Sequence, residues 1–270
     1  MRLTRNGHWL WLTVATLLAP ALSAQWLKYP TTHVPRSAGG RPDLTAAAPR
    51  TAAGKPDFSG MWQPADPLPC NDVDRLCTDL PITRQFSNLA YGLKDPLPYS
   101  EWALDSMKRR AGTDPYTHCI TPGGPRMHLL PTMKKIVETP QLLVVLDEYN
   151  ASYRQIFTDG RPLPEDPQPS WNGYSSGHWE GDRLVVESLG FRDDQWLDAR
   201  GDPLTSAARV TERFRRPDFG NLEIEITVND AKAYTRPWTV LVRQTAVLDT
   251  ELLDAICLEN EKDAPHLPRK

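Results

Sequence analysis

The sequence has no excess of basic residues and little cysteine. Its 270 residues contain 31 Lys and Arg against 34 Asp and Glu, which gives a formal net charge of −3, and only 4 Cys. Domains that bind nucleic acid usually carry a basic surface, and this charge balance argues against one. Four cysteines are also too few for a small scaffold that depends on many disulfides. Since 40% of the residues are hydrophobic, we expect a folded globular chain.

Signatures of several common chemistries are missing as well. The chain has no His-Glu-x-x-His motif, no Cys-x-x-Cys pair and no glycine-rich phosphate loop, and its six histidines are scattered. Ser175 and Ser176 are followed by predicted β-strand residues and not by a helix, whereas the nucleophile of a serine hydrolase of the α/β type stands between a strand and a helix. The sequence therefore predicts neither a metal site nor a cofactor.

The first residues are typical of an export signal. Arg2 and Arg5 precede an apolar run, residues 9–21, and small residues follow it, which is the pattern of a cleaved signal peptide. We predict a signal peptide over residues 1–24 and a mature protein in the periplasm or outside the cell, with no stable membrane insertion after cleavage. The alternative is an uncleaved anchor, because residues 6–27 carry no charged side chain and could span a bilayer.

Export changes the interpretation of the cysteines, because disulfides form and persist in oxidising compartments. Cys70 and Cys77 enclose a short polar segment and predict a local disulfide. Cys119 and Cys257 would then join the middle of the chain to its end. Four cysteines allow three pairings, and the sequence does not choose among them.

The 26 prolines are concentrated in the first half of the chain. Residues 25–53 are rich in Pro and Ala and predict a poorly ordered leader. An insertion at about 81–112 is predicted to contain two helices. The first covers residues 82–93, and the second covers residues 101–111 after Ser100, a favourable N-cap. No internal repeat is apparent.

The second half of the chain has the patterns of β-strands separated by short turns. Several segments alternate apolar and polar residues with a period of two, and Gly181-Asp182 is typical of a two-residue hairpin turn. Consecutive strands without intervening helices favour an antiparallel meander. Seven strands are predicted, over residues 142–149, 152–158, 173–180, 183–189, 207–216, 221–228 and 238–247.

A long meander must protect its edges, and closure into a barrel removes them. Residues 57–63 could supply an eighth, closing strand. Within it, Gly60-Met61-Trp62 resembles the Gly-x-Trp that opens lipocalin barrels, where the Trp fills the closed end. We therefore predict a mainly β fold over residues 54–270, an antiparallel meander that closes into a lipocalin-like barrel with a mouth that admits a small molecule.

Longer strings resemble a large family of secreted bacterial proteins that has no settled biochemical function. The resemblance covers about residues 54–264 and implies a signal peptide and one β-rich domain, but no reaction. Relatives commonly have His and Glu where this chain has Leu204 and Ala207, so a catalytic loop at this place would be altered here. The strings are GKPDFSGMW, YRQIFTDGRPLPEDPQPSW, GHWEGDRLVVESLGF, ERFRRPDFGNLEIEITVNDAKAYTRPW and CLENEKD.

Four residues are candidates for acid–base catalysis. Imidazole titrates near neutral pH, so a histidine is the first candidate for a general base. In the predicted hairpin, His178 shares one face with Glu180, and that face is either exposed to solvent or lines a polar cavity. Asp198 belongs to an acidic segment that would ordinarily be a solvated loop. The candidates are His178, Asp159, Asp198 and Glu212.

A second group of residues is suited to ligand binding. The planar guanidinium of Arg161 could hold a ligand carboxylate, with aromatic rings as a stacking wall. The alternative is that Asp159-Gly160-Arg161-Pro162 is an ordinary turn. The candidates are Arg161, Trp171, Tyr174 and Trp196.

These features favour an exported protein that binds a small organic or sugar-like ligand in the mouth of the barrel. Binding requires only aromatic rings and a few polar groups, whereas catalysis requires titratable groups that meet in one pocket. The alternatives are a cofactor-free lyase, isomerase or hydrolase on the same scaffold, and a structural or partner-binding protein of the cell envelope.

Overall fold

A computed structural model of the chain describes residues 29–68 and 82–259. The predicted signal peptide, residues 1–24, and the cysteines Cys70 and Cys77 lie outside the described residues. Strands provide most of the regular structure in the described part. The strands, numbered along the chain, are β1 (Gly60–Pro64), β2 (Lys134–Glu138), β3 (Leu142–Asp147), β4 (Ser152–Phe157), β5 (Tyr174–Glu180), β6 (Arg183–Leu189), β7 (Gln195–Trp196), β8 (Pro203–Leu204), β9 (Arg209–Arg215), β10 (Asn221–Asn229) and β11 (Trp238–Ala246).

Nine of these strands form a closed barrel, in the order β1-β11-β10-β9-β6-β5-β4-β3-β2, and β7 and β8 form a separate small hairpin. The prediction of a mainly β chain that closes into a barrel is confirmed. β1 closes it, because Trp62 lies opposite Ala246 of β11 and Lys134 of β2. The predicted closing strand is therefore correct, and β2 adds a ninth strand to the eight predicted.

The hairpin of β5 and β6 has the register that its sequence predicts. Glu180 pairs with Arg183 and His178 pairs with Val185, so Gly181 and Asp182 form the turn. Gly181 has φ +60°, a left-handed backbone conformation that glycine adopts without strain. This register directs the side chain of His178 away from the barrel interior.

The seam between β4 and β5 differs from the predicted antiparallel meander. These two strands are parallel and share one paired position, Phe157 with Ser176, whereas the other neighbouring strands of the barrel are antiparallel. Parallel neighbours need a long crossover connection. Residues 158–173 supply it, and they carry the chain back to the end of the barrel at which β4 begins. The strictly antiparallel prediction is therefore wrong at this one seam.

Two α-helices of the described chain precede the second strand, α1 (Arg84–Ser87) and α2 (Glu101–Arg110). Ser100 caps α2 as predicted, because its hydroxyl accepts a hydrogen bond from the Ala103 amide at 3.1 Å. The first helix is much shorter than the predicted range of 82–93. It stops because the Leu89 amide donates to Asp198 Oδ2 at 2.8 Å instead of continuing the helix.

The leader contacts the barrel from Tyr29 onward, in contrast to the poorly ordered segment that its composition predicts. The Gly220 amide donates to the Leu44 carbonyl at 2.7 Å, and Arg50 forms a salt bridge with Asp182 at 2.7 Å. These contacts fasten the leader to the tips of two hairpins at one end of the barrel.

That same end of the barrel is closed by packed rings. Trp62 is almost fully buried, and its indole nitrogen donates to the Phe58 carbonyl at 3.0 Å. The Arg216 guanidinium lies 4.8 Å from the centre of the Trp62 ring and donates to the Phe219 carbonyl at 2.6 Å. Phe58 in turn stacks on Trp179 at 5.5 Å between ring centres. This end is thus sealed by aromatic packing around one cation.

The opposite end is filled by the chain itself. A 3₁₀ helix, Gly124–Leu129, inserts there, and all six of its residues are buried. The Gln244 side-chain amide of β11 donates to the His128 carbonyl at 2.7 Å. A disulfide joins Cys119 to Cys257 beside this plug, as expected for the long-range pair. The open mouth that the sequence led us to expect is therefore occupied by residues of the plug.

Candidate functional site

A cluster of polar side chains lies inside the barrel, next to the plug. Arg154 Nη1 donates to Glu212 Oε1 at 3.0 Å, and Arg154 Nη2 makes a close contact with the second carboxylate oxygen. His128 Nε2 lies 2.9 Å from Glu212 Oε1. Arg154 Nη2 also donates to the Ser175 and Ser188 hydroxyls at 3.2 and 3.0 Å. All five side chains are buried, so their charges must be balanced within the cluster.

Strand alternation explains why four of these residues point inward. Successive side chains of a strand face opposite sides, and in β9 Glu212 lies between Val210 and Phe214 on the buried face. Arg154 takes the same position beside Ile156 in β4. The cluster is therefore a polar layer on the inner wall, and His128 is added to it from the plug.

The charge states within the cluster follow from burial and pairing. Burial acts to raise the pKa of Glu212, but the charge of Arg154 and hydrogen bonds from His128 and Arg154 outweigh it and lower the pKa to about 2. Burial lowers the pKa of His128, so the ring is neutral at pH 7 and Nε2 donates its proton to Glu212. The layer thus contains one carboxylate, one guanidinium and a neutral imidazole.

A cavity of about 610 Å³ borders this layer at the β4–β5 seam. Apart from Phe157, its lining residues in β4 and β5 precede the single paired position, Phe157 with Ser176, in both strands. Arg154 and Ser175 are shared by the cavity lining and the buried cluster. The remaining lining residues are Thr121, Pro122, Asn150, Ala151, Ser152, Tyr153, Gln155, Phe157, Ser170, Trp171, Asn172, Gly173 and Tyr174.

Aromatic rings form one wall of this seam cavity. Phe157 and Tyr174 stack with their ring centres 5.3 Å apart, and the Arg161 guanidinium lies 4.0 Å from the centre of the Phe157 ring. Trp171 also lines the cavity, with the Arg192 guanidinium 4.7 Å from its ring. Three of the four predicted ligand-binding residues, Arg161, Trp171 and Tyr174, are therefore grouped at the seam.

Two residues of the wall around the cavity have a polar atom that is buried away from solvent and has no hydrogen-bond partner among the described residues. These atoms are Ser152 Oγ and Arg154 Nε. Buried polar atoms in native structures are nearly always paired with protein or water. These two atoms are not accessible to solvent and so do not face the open volume of the cavity, whereas the exposed side chains of Tyr153 and Gln155 line it.

The arginines around the cavity already have acidic partners. Arg161 Nη2 lies 2.6 Å from Asp159 Oδ2, and Arg192 Nε lies 3.1 Å from Asp194 Oδ1. The negative charge of Asp159 is therefore balanced by Arg161 within the same turn. The seam cavity is thus close to neutral overall, in spite of three arginines in and around it.

The other predicted residues lie apart from the seam. His178 is more than half exposed and its Nε2 lies 3.3 Å from Glu180 Oε1 on the outer surface. Trp196 is buried in β7 beside α2, with the Arg110 guanidinium 5.7 Å from its ring. Of the four acid–base candidates, Glu212 alone joins the buried cluster, so the structure does not bring these four together.

Asp198 lies in the buried connection between β7 and β8. Its carboxylate accepts hydrogen bonds from the amides of Leu89, Arg200 and Asp202. Burial raises the pKa of Asp198, and burial together with the nearby charge of Asp198 raises the pKa of Asp202 to about 7. The carboxyl group of Asp198 therefore organises a loop and does not face the seam cavity.

Sequence reasoning missed His128, Arg154, Ser175 and Ser188. The strand period offers a signal for Arg154, because it occupies an apolar-face position in a strand whose neighbour Ile156 is apolar. Residues 173–177 read Gly-Tyr-Ser-Ser-Gly and so match Gly-x-Ser-x-Gly, but Ser175 stands within β5, where no strand-to-helix turn follows. Its hydroxyl contacts Arg154 and Ser188, and no base is among these partners.

Comparison of the chain with protein-family models, with curated proteins and with solved structures gives no match in any of the three. The resemblance to a family of secreted bacterial proteins therefore stays a prediction. No helix in residues 29–68 and 82–259 is long and apolar enough to cross a membrane. The Cys119–Cys257 disulfide fits an oxidising compartment.

Proposed function

We propose that the chain is a binding protein for a small, neutral organic or sugar-like molecule, and that this molecule occupies the seam cavity. The main support is the combination of a cavity of about 610 Å³, an aromatic wall and the exposed polar groups of Tyr153 and Gln155 in its lining. Ligand pockets typically have volumes of about 300–1,000 Å³ and combine apolar walls with a few polar groups. The cavity has both properties.

Charge pairing favours a neutral ligand over an anion. Arg154, Arg161 and Arg192 each have a carboxylate partner in contact. An anionic ligand would have to compete with these partners, whereas a neutral hydroxyl group could form hydrogen bonds with the side chains of Tyr153 and Gln155, which line the cavity. Sugar rings combine such hydroxyls with apolar faces that stack on aromatic side chains, and Trp171 and Tyr174 offer such surfaces.

The composition of the lining also favours binding over the enzymatic alternative. General acid–base catalysis requires a titratable group within hydrogen-bond reach of the reacting atoms. His128, His178 and Glu212 are not among the residues that line the seam cavity. Arg154 and Ser175 border the cavity, and both are engaged in the buried cluster.

We further infer that the protein is exported to the periplasm or the cell exterior and belongs to the family of secreted bacterial proteins that its long motifs resemble. The predicted signal peptide over residues 1–24 and the disulfide support export. N-terminal sequencing of the mature protein tests it, and cleavage after Ser23 or Ala24 is the expected result.

Isothermal titration calorimetry of the oxidised chain with glucose, maltose and phenyl glucoside as probes tests the binding function. We expect at least one probe to bind and Trp171→Ala to weaken that binding about tenfold, because loss of a stacking ring removes roughly 1 kcal/mol or more. Tyr91→Ala is the matched control, since Tyr91 is an exposed ring in a separate recess and its removal should leave binding unchanged.

Two results would contradict the proposal. The first is that none of the three probes produces binding heat, even at concentrations well above the dissociation constants that are typical of sugar-binding proteins. The second is a Trp171→Ala variant that binds as tightly as the unaltered chain, because the ligand would then lie elsewhere.

A further inference from the structure

The leader contains a short tandem repeat, in contrast to the expectation that the chain has no internal repeat. Residues 35–45 read PRSAGGRPDLT and residues 49–59 read PRTAAGKPDFS, 14 positions later. The two segments, named the first and second leader turns, agree in Pro, Arg, Ala, Gly, Pro and Asp. The remaining positions differ only by exchanges of similar residues.

The two leader turns have the same backbone geometry. In the first turn the Arg36 guanidinium donates to the Gly40 carbonyl at 2.8 Å, and in the second Arg50 donates to the Gly54 carbonyl at 2.7 Å. The two glycines have φ of +76° and +75°, a conformation that suits glycine. The sequence repeat is therefore a structural repeat.

The second leader turn binds the tip of the β5–β6 hairpin. Arg50 donates to both carboxylate oxygens of Asp182 at 3.0 and 2.7 Å, and Lys55 Nζ donates to the Gly181 carbonyl at 2.9 Å. Lys55 Nζ also lies 5.8 Å from the centre of the Trp179 ring. The turn thus recognises a carboxylate, a carbonyl and an aromatic face on one hairpin tip.

The first leader turn offers the same groups to solvent. Arg36 and Arg41 occupy the positions of Arg50 and Lys55, and both are exposed. Within residues 29–68 and 82–259, Arg36 makes its side-chain hydrogen bond to Gly40 alone, and Arg41 has no acidic partner. The end of this turn is fixed to the barrel, because the Leu44 carbonyl accepts a hydrogen bond from the Gly220 amide at 2.7 Å.

We propose that the first leader turn is a docking site for a β-hairpin tip of a second protein. The tip should present an aspartate after a glycine, with an aromatic residue near by, because the second turn binds that chemistry in Trp179–Asp182. Charge complementarity supports an acidic partner, since Arg36 and Arg41 are both cationic. The tip on this chain is already bound by Arg50, so the first turn is available to another molecule.

The interaction should be weak for one isolated tip. Exposed ion pairs contribute little individually, and a dissociation constant on the order of 1 mM is expected for a single hairpin. A partner that carries several such tips, or that is held near by other contacts, would bind more tightly through effective concentration.

Titration of the full chain with a backbone-cyclised peptide of residues 176–187 as the probe tests the proposal. We expect the peptide to shift the NMR signals of Arg36 and Arg41, and the R36A/R41A variant to lose at least about fivefold in affinity. A probe in which the aspartate at the Asp182 position is replaced by Asn should lose affinity to a similar extent. R50A/K55A is the matched variant in the second turn.

Thermal unfolding distinguishes docking of a second protein from a contact between Arg36 or Arg41 and the barrel of the same chain. R36A/R41A should leave the melting temperature within about 1 °C of the unaltered chain, whereas R50A/K55A should lower it, because Arg50 and Lys55 contact the barrel and, within the described residues, Arg36 and Arg41 do not. Equal peptide affinity for R36A/R41A and the unaltered chain would overturn the proposal. A lower melting temperature for R36A/R41A would also overturn it, because Arg36 or Arg41 would then contact its own barrel. Neither result tests whether a ligand binds in the seam cavity, so the two proposals can fail independently.

Discussion

The two halves of the barrel interior are built from different kinds of side chain. Around Phe58, Trp62 and Ile224 the interior is apolar and aromatic, and hydrophobic burial stabilises it directly. Towards the plug the interior contains the buried ion pair of Arg154 and Glu212. Burying two charges has a large desolvation cost, which their attraction offsets only with good geometry. The polar half is therefore hard to explain by stability alone, and it is the half that borders the seam cavity.

The polar half also contains a second buried cation that holds the plug. Lys134 Nζ donates to the carbonyls of Leu130 and Thr132, both at 2.8 Å, and lies 3.5 Å from Asp147 Oδ2. Burial lowers the pKa of Lys134, against the opposing effect of Asp147. One end of the barrel therefore stabilises the folded chain, whereas the other end positions the plug and the wall of the seam cavity. Five predictions test this contrast between the two halves.

The largest effect is expected for Glu212→Gln. This change leaves the guanidinium of Arg154 buried without a carboxylate, and loss of one partner of a buried pair costs about 3–5 kcal/mol of unfolding free energy. Urea unfolding of the two proteins at pH 7 measures the difference. Replacement of both partners, Arg154→Met with Glu212→Leu, should restore much of the stability, because no unpaired charge then remains.

The same pair has a defined pH dependence. The pKa of Glu212 is lowered to about 2 in the folded chain, so its contribution to stability is present above its ordinary pKa and is lost as the pH falls through about 2. The difference between the unaltered chain and Glu212→Gln should therefore shrink below about pH 4. A difference that stays constant down to pH 2 would show that Glu212 is not ionised in the folded protein.

A smaller loss is expected when the Cys119–Cys257 disulfide is removed. The bond closes a loop with a sequence separation of 138 and ties the C-terminal segment to the chain before the plug. Its removal should lower the unfolding free energy by about 2–4 kcal/mol. Thermal unfolding with and without dithiothreitol measures the effect. Mass spectrometry that finds Cys119 and Cys257 as free thiols in exported protein would contradict the pairing.

Ile224→Val tests the apolar half with a minimal change. Ile224 is fully buried, and loss of one buried methyl group should cost about 1 kcal/mol. Urea unfolding at pH 7 measures it. A cost as large as that of Glu212→Gln would remove the contrast between the two halves of the interior.

The smallest effect is expected for His178→Ala on the outer surface. The side chain is more than half exposed and its contact with Glu180 is a long surface pair at 3.3 Å. The unfolding free energy should change by less than about 0.5 kcal/mol. A change above about 2 kcal/mol would mean that His178 belongs to a buried network.

Much of the fold could be predicted because its signals are local. The hairpin of β5 and β6 follows from Gly181-Asp182 and the alternation around it, and α2 follows from Ser100 and its charged last turn. The hairpin of β9 and β10 places Arg213 opposite Glu225 and Arg215 opposite Glu223, and these cation–carboxylate pairs lie at 3.7 and 2.8 Å.

The candidate site was less accessible to sequence reasoning. Trp171 and Tyr174 were identified because an aromatic-rich loop is visible in the sequence. His128 and Arg154 are separated from Glu212 by 84 and 58 positions, and nothing local relates them. His128 is an isolated histidine in a segment without a regular pattern, so nothing in the sequence indicated that it would lie inside the barrel.

The sequence by itself determined eight of the nine barrel strands and their inward and outward faces, because side-chain alternation and turn chemistry act over a few neighbouring residues. The residue that seals one end, Trp62, was indicated by the resemblance of Gly60-Met61-Trp62 to lipocalin barrels. Only the tertiary structure decided that β4 and β5 are parallel, that a 3₁₀ helix fills the mouth, and that the remaining cavity opens at the side. These features depend on barrel closure and on a long crossover connection, which bring together residues that are distant in the chain.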